Sequence, residues 1–333
     1  MKRWGPMMTV LLVGWLTACN GSESADQLST WQQSLGEALG QPLGEPRQPG
    51  NIGEFPAHRD LLLDTSDVRE GMLDIYALRH CGITNLVAKR NNQLGRVAPP
   101  SQRWVYELTL WRRLDSCLNG DTADHLAKED LHRLQRITTL KARELPTASY
   151  NALVGSDEWT GSFARASAIL PPDELASVDD QLPALNYLRE AVEHQFDHNW
   201  QPDISMLEAH LNSLRSRPLS AELMRSLIQA STRVEEGNVL LTRALEMTSG
   251  CPAQWPPTLP SPPAWLDDLT HQSTRWFTAM NELLDAHIAG SPALQKYRRE
   301  WLSLDNRDAP LPRFIAAHEH YRQLLHTFNQ RCI

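Results

Sequence analysis

DVREGMLDIYALRHCGITNLVAKRNNQLGRVAPPSQRWVYELTLWRRLDSC, residues 67–117, is the stretch whose reading decides the fold. It reads as two helices joined by a short Gly/Pro turn. Asp67, with Glu70 three residues on, is a helix-start pair: an N-cap oxygen for unpaired amides and an acid favoured by the helix dipole. From there Met72, Ile75, Tyr76, Ile83, Leu86, Val87 and Leu94 fall on one face at helical spacing, while Ala77, Cys81, Thr84 and Ala88 make a face of small residues opposite. A helix apolar or small on both sides is expected inside a protein rather than on its surface. Gly95 supplies the stop, Pro99 and Pro100 prevent immediate re-entry, and Ser101 caps a second helix. The buried face of that helix is Trp104, Leu108, Leu110, Trp111, Leu114 and Leu118.

The cysteines of this hairpin stand at matching heights. Cys81 lies about 14 residues before Gly95 and Cys117 about 16 after Ser101, which is ~21 and ~24 Å from the turn at 1.5 Å per residue. A disulfide between them is expected, since the small face around Cys81 permits the close Cα approach such a bond needs. Closing this loop stabilises by roughly 4 kcal/mol in the chain-entropy model. Two charges interrupt the apolar stripes, Arg90 on the first arm and Glu107 on the second, again at similar heights. An unpaired buried charge costs several kcal/mol, so an internal Arg90–Glu107 ion pair is the expectation. A polar centre with chemical duties, formed by Arg90, Asn91 and Glu107, is the alternative.

Outward from the hairpin, the N-terminus gives an address. Lys2 and Arg3 precede an apolar run, Met7 to Leu16, too short to span a bilayer. It ends in Leu16-Thr17-Ala18-Cys19, which resembles the lipobox of bacterial lipoprotein precursors. That resemblance implies removal of residues 1–18 and acylation of Cys19. Asn20, where an aspartate favours inner-membrane retention, implies an outer-membrane anchor facing the periplasm, held by acyl chains. The mature chain would keep 315 of 333 residues and carry −10, the whole-chain −8 less the charges of Lys2 and Arg3. That sign opposes nucleic acid as a partner and opposes adhesion to anionic head groups. Four cysteines would remain once Cys19 is lipidated, an even count that favours two disulfides in an oxidising compartment. With Cys81 and Cys117 paired by height, Cys251 and Cys332 form the second.

Residues 19–56 read as a flexible lipidated tether: one short amphipathic helix around Leu28, Trp31, Leu35 and Leu39, then a Gly/Pro-rich linker from Gly40 to Pro56. The body, 57–333, reads as helices broken by Pro or Gly, with possible lobes at 57–200 and 201–333. Beyond the hairpin the expected helices are 123–144, a short piece near 159–166, 174–196 interrupted near Pro183, 204–215, 221–247, 265–289, 292–303 and 312–330. The 221–247 helix carries Leu223, Leu227, Val234, Leu241 and Leu245 as one stripe. No period-2 strand run appears, so the fold class is all-α: a multi-helix bundle stapled by two disulfides behind the tether.

Catalytic motifs are missing. His194 and His198 stand four apart, as metal ligands on one helix face do, but Gln195 occupies the place of the glutamate in H-E-x-x-H and no third ligand follows. His318, His320 and His326 read as surface histidines of the last helix. Ser156 lacks the G-x-S-x-G elbow, and the phosphate-binding glycine motifs are absent. No metal or cofactor is expected, and no catalytic residue is assigned. The tryptophans sit at core spacing.

The run Ala88-Lys89-Arg90-Asn91-Asn92-Gln93-Leu94-Gly95-Arg96-Val97, with Pro100-Ser101-Gln102-Arg103, Tyr106-Glu107 and the flanking Cys81 and Cys117, resembles the signature of a lipoprotein family known as domain of unknown function 3080. It departs from the family's E-R-N-S-S-L-G-R-V pattern at Lys89, Asn92 and Gln93. The resemblance implies a lipobox start and a shared fold across most of the mature chain, and brings no activity with it. The resulting expectation is a non-enzymatic helical module that binds or organises an envelope protein or cell-wall partner. The competing one is an envelope hydrolase or lyase centred on Arg90, Asn91 and Glu107.

Overall fold

The apolar stripe Leu223–Leu227–Val234–Leu241–Leu245 marks the axis of the molecule, and all five side chains are buried. The structure is a computed structural model that describes residues 23–65, 71–165, 168–247, 252 and 255–332. Its helices of eight or more residues, in chain order, are α1 (Glu23–Leu39), α2 (Thr84–Asn91), α3 (Pro100–Leu118) and α4 (Lys128–Val154). They continue as α5 (Ser177–Glu193), α6 (Ile204–Ser216), α7 (Leu219–Met247), α8 (Trp265–Ala286) and α9 (Pro310–Cys332). No strand occurs among the described residues, so the chain is all-α.

Helix α7 is buried nearly all round, as a helix apolar beyond a single stripe must be. Helices α9 and α1 pack against it, α8 joins it to α5, and α6 packs on α5. One core runs from Leu28 to Phe328, so a lobe boundary near residue 200 does not separate two cores. A smaller second core gathers Leu78, Cys81, Ile83, Leu110, Leu114, Cys117, Leu134 and Ile137 around the hairpin.

The expected tether needs correcting within the described residues. Leu28, Trp31, Leu35 and Leu39 are buried in the main core, so α1 belongs to the body. Gly237 of α7 makes room for it: a Cβ there would lie 2.7 Å from the Trp31 ring. The Trp31 Nε1–H donates to the Pro260 carbonyl (3.2 Å), and its indole meets Tyr321 edge-on at 5.2 Å. The Gly/Pro segment after α1 is strapped down as well. The Arg47 amide donates to Glu236 (2.7 Å), its guanidinium pairs with Glu235, and Phe55 stacks on Phe163 at 4.1 Å. Residues 19–22 lie outside the described residues.

In the hairpin, α3 has the expected buried face, except that Leu118 is only half-buried. It begins two residues early, with Pro100 at its first turn, where a missing N–H costs nothing. Ser101 therefore does not cap it; its hydroxyl donates to Glu208 (2.9 Å). The first arm is not one helix. A helical turn at Met72–Ala77 and a 3₁₀ turn at Arg79–Cys81 end at Gly82, whose φ of +70° breaks the helix before α2 begins. The break turns the stripe out of register. Leu78 and Ile83 are buried, but Tyr76 and Leu94 are 58 % and 79 % exposed, so this arm lies on the surface. The disulfide Cys81–Cys117 is present, with Cα atoms 5.2 Å apart. Cys251 lies outside the described residues, and with it the second expected pairing.

Elsewhere the element positions agree to within a few residues, with two informative exceptions. Helix α4 runs through Pro146 and α5 through Pro183, where a stop or kink is expected. An internal proline costs about 3 kcal/mol, but Tyr150, Leu153 and Val154 beyond Pro146 are buried and offset it at roughly 1.5–3 kcal/mol per large side chain. The end of the 292–303 helix is a π-helical turn, Arg298–Leu302, whose Arg298 forks onto Asp285 at 2.6 and 2.8 Å.

Candidate functional site

Helices α3 and α4 form an antiparallel pair, and their outward seam is a cleft. From α3 come Arg103, Trp104 and Glu107, one turn of one face. From α4 come Lys141, Glu144, Leu145, Ala148, Asn151 and Ala152, at steps of three and four residues. Arg90 at the end of α2 closes one side, and His58, Leu62 and Thr65 close the other. The cavity is about 320 Å³ and open to solvent. Asn151 fixes the second wall, because its amide accepts from the Leu63 N–H (2.9 Å) and donates to the Leu63 carbonyl (2.8 Å). The Tyr150 hydroxyl donates to the Leu61 carbonyl and accepts from the Ser291 N–H, both at 3.0 Å.

The expected Arg90–Glu107 ion pair is not what forms. Glu107 accepts from Lys141 Nζ at 2.8 Å, with Glu144 3.9 Å from the same ammonium. Arg90 donates to the Gly95 carbonyl at 2.9 Å and lies over the Tyr106 ring at 5.9 Å. Both charges do line the one cleft. Burial, with Glu107 adding and Arg90 opposing, pushes the Tyr106 phenol up to about 12, so it stays protonated at any physiological pH. Asn91 is exposed and does not line the cleft. The third member of the expected polar centre is thus missing from it.

Cation predominates at the cleft mouth. Arg103 donates to the Ala98 and Arg96 carbonyls (2.9 and 3.2 Å), as Arg90 does to Gly95. Among the described residues neither guanidinium has a carboxylate within ion-pair reach. Lys141 sits between Glu107 and Glu144, so the three carry −1 together and the two arginines bring the cleft to a net +1. Oriented guanidiniums of this kind recognise carboxylate or phosphate groups.

No motif marks Lys141, Glu144 or Asn151 in the sequence, and Arg103 is marked only as part of the family-like run Pro100–Arg103. The signal was there for one of them. Lys141 interrupts the buried α4 run Leu134–Ile137–Leu145 just as Glu107 interrupts α3.

The other candidates serve the framework. Helix α5 ends at Glu193, so His194 and His198 do not share a helix face. His198 Nε2 meets Asp115 at 2.8 Å, while Arg112 donates to the carbonyls of His194, Gln195 and Asp197, which ties this turn to the hairpin. His318 is buried rather than on the surface, and burial beside Arg322 lowers its pKa. Ser156 is a cap: its oxygen accepts from the Trp159 N–H (3.1 Å) and its hydroxyl donates to the Leu153 carbonyl (2.8 Å). Trp104, Trp111, Trp159, Trp265 and Trp276 are all buried. Among the described residues no cluster of three His, Cys, Asp or Glu side chains could hold a metal ion, and no helix is long and apolar enough to cross a membrane.

No curated protein and no solved structure matches the chain. One family model does match, over residues 28–258, a span that runs from within α1 through α7 and takes in every wall of the cleft. The chain therefore belongs to the family described as protein of unknown function (DUF3080).

Proposed function

We propose that this protein is a lipoprotein of the outer membrane, anchored by acylation of Cys19 and facing the periplasm, whose cleft binds an anionic group of an envelope protein or cell-wall partner. The observation that carries the binding role is the charge at the cleft mouth, where Arg90 and Arg103 meet backbone carbonyls and no described carboxylate. The address rests on Leu16–Cys19 and the positive start before it, and a Cys81–Cys117 disulfide is the chemistry an oxidising compartment favours. Within that compartment a second bond, Cys251–Cys332, would tie the end of α9 to the loop after α7.

A photo-crosslinking residue in place of Thr65, on the cleft wall away from the arginines, tests the binding role in intact cells. A discrete crosslinked product that disappears when Arg90→Gln and Arg103→Gln are added, with the folded protein still present, is the expected result. An unchanged crosslinking pattern in that variant refutes the role.

The alternative, an envelope hydrolase or lyase, draws on one observation: the cleft is open and reaches both Arg90 and Glu107. Glu107→Gln separates the readings. Reduced stability with cellular function retained assigns Glu107 to the framework, and unchanged stability with function lost assigns it to chemistry.

A further inference from the structure

We propose that the hairpin tip is a docking surface for anionic phospholipid head groups, into which Leu94 and Val97 insert. The first observation is a reversal of charge. Between Ile75 and Tyr106 the chain has five basic residues, Arg79, Lys89, Arg90, Arg96 and Arg103, and no Asp or Glu. The whole chain is −8, so everything outside this segment sums to −13 (−8 less +5). Acidity that repels the molecule as a whole from an anionic surface is absent here, and the asymmetry orients the tip towards such a surface.

The second observation is exposure. Leu94 and Val97 are 79 % and 75 % exposed, and they stand three residues apart on and just after the turn Gln93–Arg96, so they face the same way. Lys89, five residues before Leu94, and Arg96, between Leu94 and Val97 in the chain, are exposed as well. The turn is held rigid beneath. Asn92 caps it by accepting from the Gly95 N–H (2.8 Å), Arg90 binds the Gly95 carbonyl, and Arg103 binds those of Arg96 and Ala98. Its apolar side chains are therefore presented with little ordering cost left to meet.

A protein partner of ordinary size needs about 800 Å² per side around a buried core. Two exposed aliphatic side chains in a basic segment free of Asp and Glu match instead the requirements of a head-group layer. There each basic residue is attracted by the surface potential and short apolar side chains enter the acyl boundary. The tip residues Lys89, Leu94, Arg96 and Val97 do not line the cleft, whereas Arg90 and Arg103, which brace the turn, do, so the test below changes Lys89 and Arg96 and leaves the two cleft arginines in place.

The test uses the full-length chain reconstituted into vesicles of phosphatidylcholine, with or without about one-third phosphatidylglycerol. An environment-sensitive fluorophore is attached at Gln93→Cys, an exposed neighbour of Leu94. Emission should shift to the blue and become accessible to lipid-borne quenchers only with phosphatidylglycerol present, and high salt should reverse it. Adding Lys89→Gln and Arg96→Gln should lower the ratio of inserted to free tip by about 30-fold, two charges at the usual strength of this attraction. Identical emission on both vesicle types overturns the proposal, as does insertion indifferent to the two charges. A probe that ignores lipid but responds to polyglutamate overturns it in favour of an acidic protein.

Discussion

Lowering the pH from 7 to 5 should cost this protein a measurable share of its stability through one side chain, His287. Its imidazole follows α8 and is 9 % exposed, in a pocket with Trp104, Leu188, Val192, Leu207 and Leu211, and Tyr150 stands edge-on at 6.0 Å. Among the described residues neither ring nitrogen meets a hydrogen-bond partner. Burial pushes its pKa down from 6.5 to about 4. The sign follows from the direction. Below pH 6.5 the unfolded chain takes up a proton that the folded protein refuses until about pH 4, so stability is lost as pH falls through that window. Integrated from pH 7 to pH 5, the one group accounts for about 2 kcal/mol. Urea unfolding at both pH values, on the wild type and on His287→Leu, reads it. His318, also lowered by burial, contributes in the same direction, so the relevant quantity is the difference between the two proteins. The leucine variant should lose about 2 kcal/mol less between pH 7 and 5, whatever its absolute stability. Equal losses in both proteins would refute the reasoning.

Three further outcomes follow from particular contacts. Replacing Cys81 and Cys117 by serine opens a link of sequence separation 36 and should lower stability by about 4 kcal/mol in chemical denaturation. Gly237→Ala gains about 1 kcal/mol of helix propensity but drives a methyl into the Trp31 ring. The net effect should be a loss of about 1–2 kcal/mol, relieved by Trp31→Leu, which a double-mutant cycle would detect. Gly95→Ala places a Cβ 2.3 Å from the Lys89 carbonyl oxygen and 2.5 Å from that of Arg90. Hydrogen exchange should accelerate over 92–97, while exchange in α7, far from the tip, stays as it was.

Much of this architecture is legible in the residues. The long α7 stripe, the core spacing of the α3 tryptophans and leucines, the Cys81–Cys117 pairing and the all-helical class follow from period and spacing alone. Elsewhere tertiary contacts override the local signal. Helix α1 has an ordinary amphipathic pattern, and only the cavity that Gly237 leaves for Trp31 shows that it is core rather than tether. Gly82 carries no local mark distinguishing a chain-breaking glycine from a tolerated one, so the first arm read as continuous. For the same reason its Tyr76 and Leu94 read as buried. At the cleft, Arg90 and Glu107 were recognisable as charges in apolar stripes. Their partners were not, because matching heights in a hairpin do not reveal a third helix. Lys141, from α4, reaches Glu107 and leaves Arg90 to the turn. Averaging charge over the whole chain likewise hid the acid-free segment at the tip.

The anchoring proposed above holds a covalently braced helical body at a membrane outside the cytoplasm. Peptide mass mapping of the protein taken unreduced from its native membranes tests it most directly. The expected products are an N-terminal peptide beginning at acylated Cys19 and a cross-linked peptide joining Cys81 to Cys117. An unmodified residue 19 together with free thiols at 81 and 117 would contradict it.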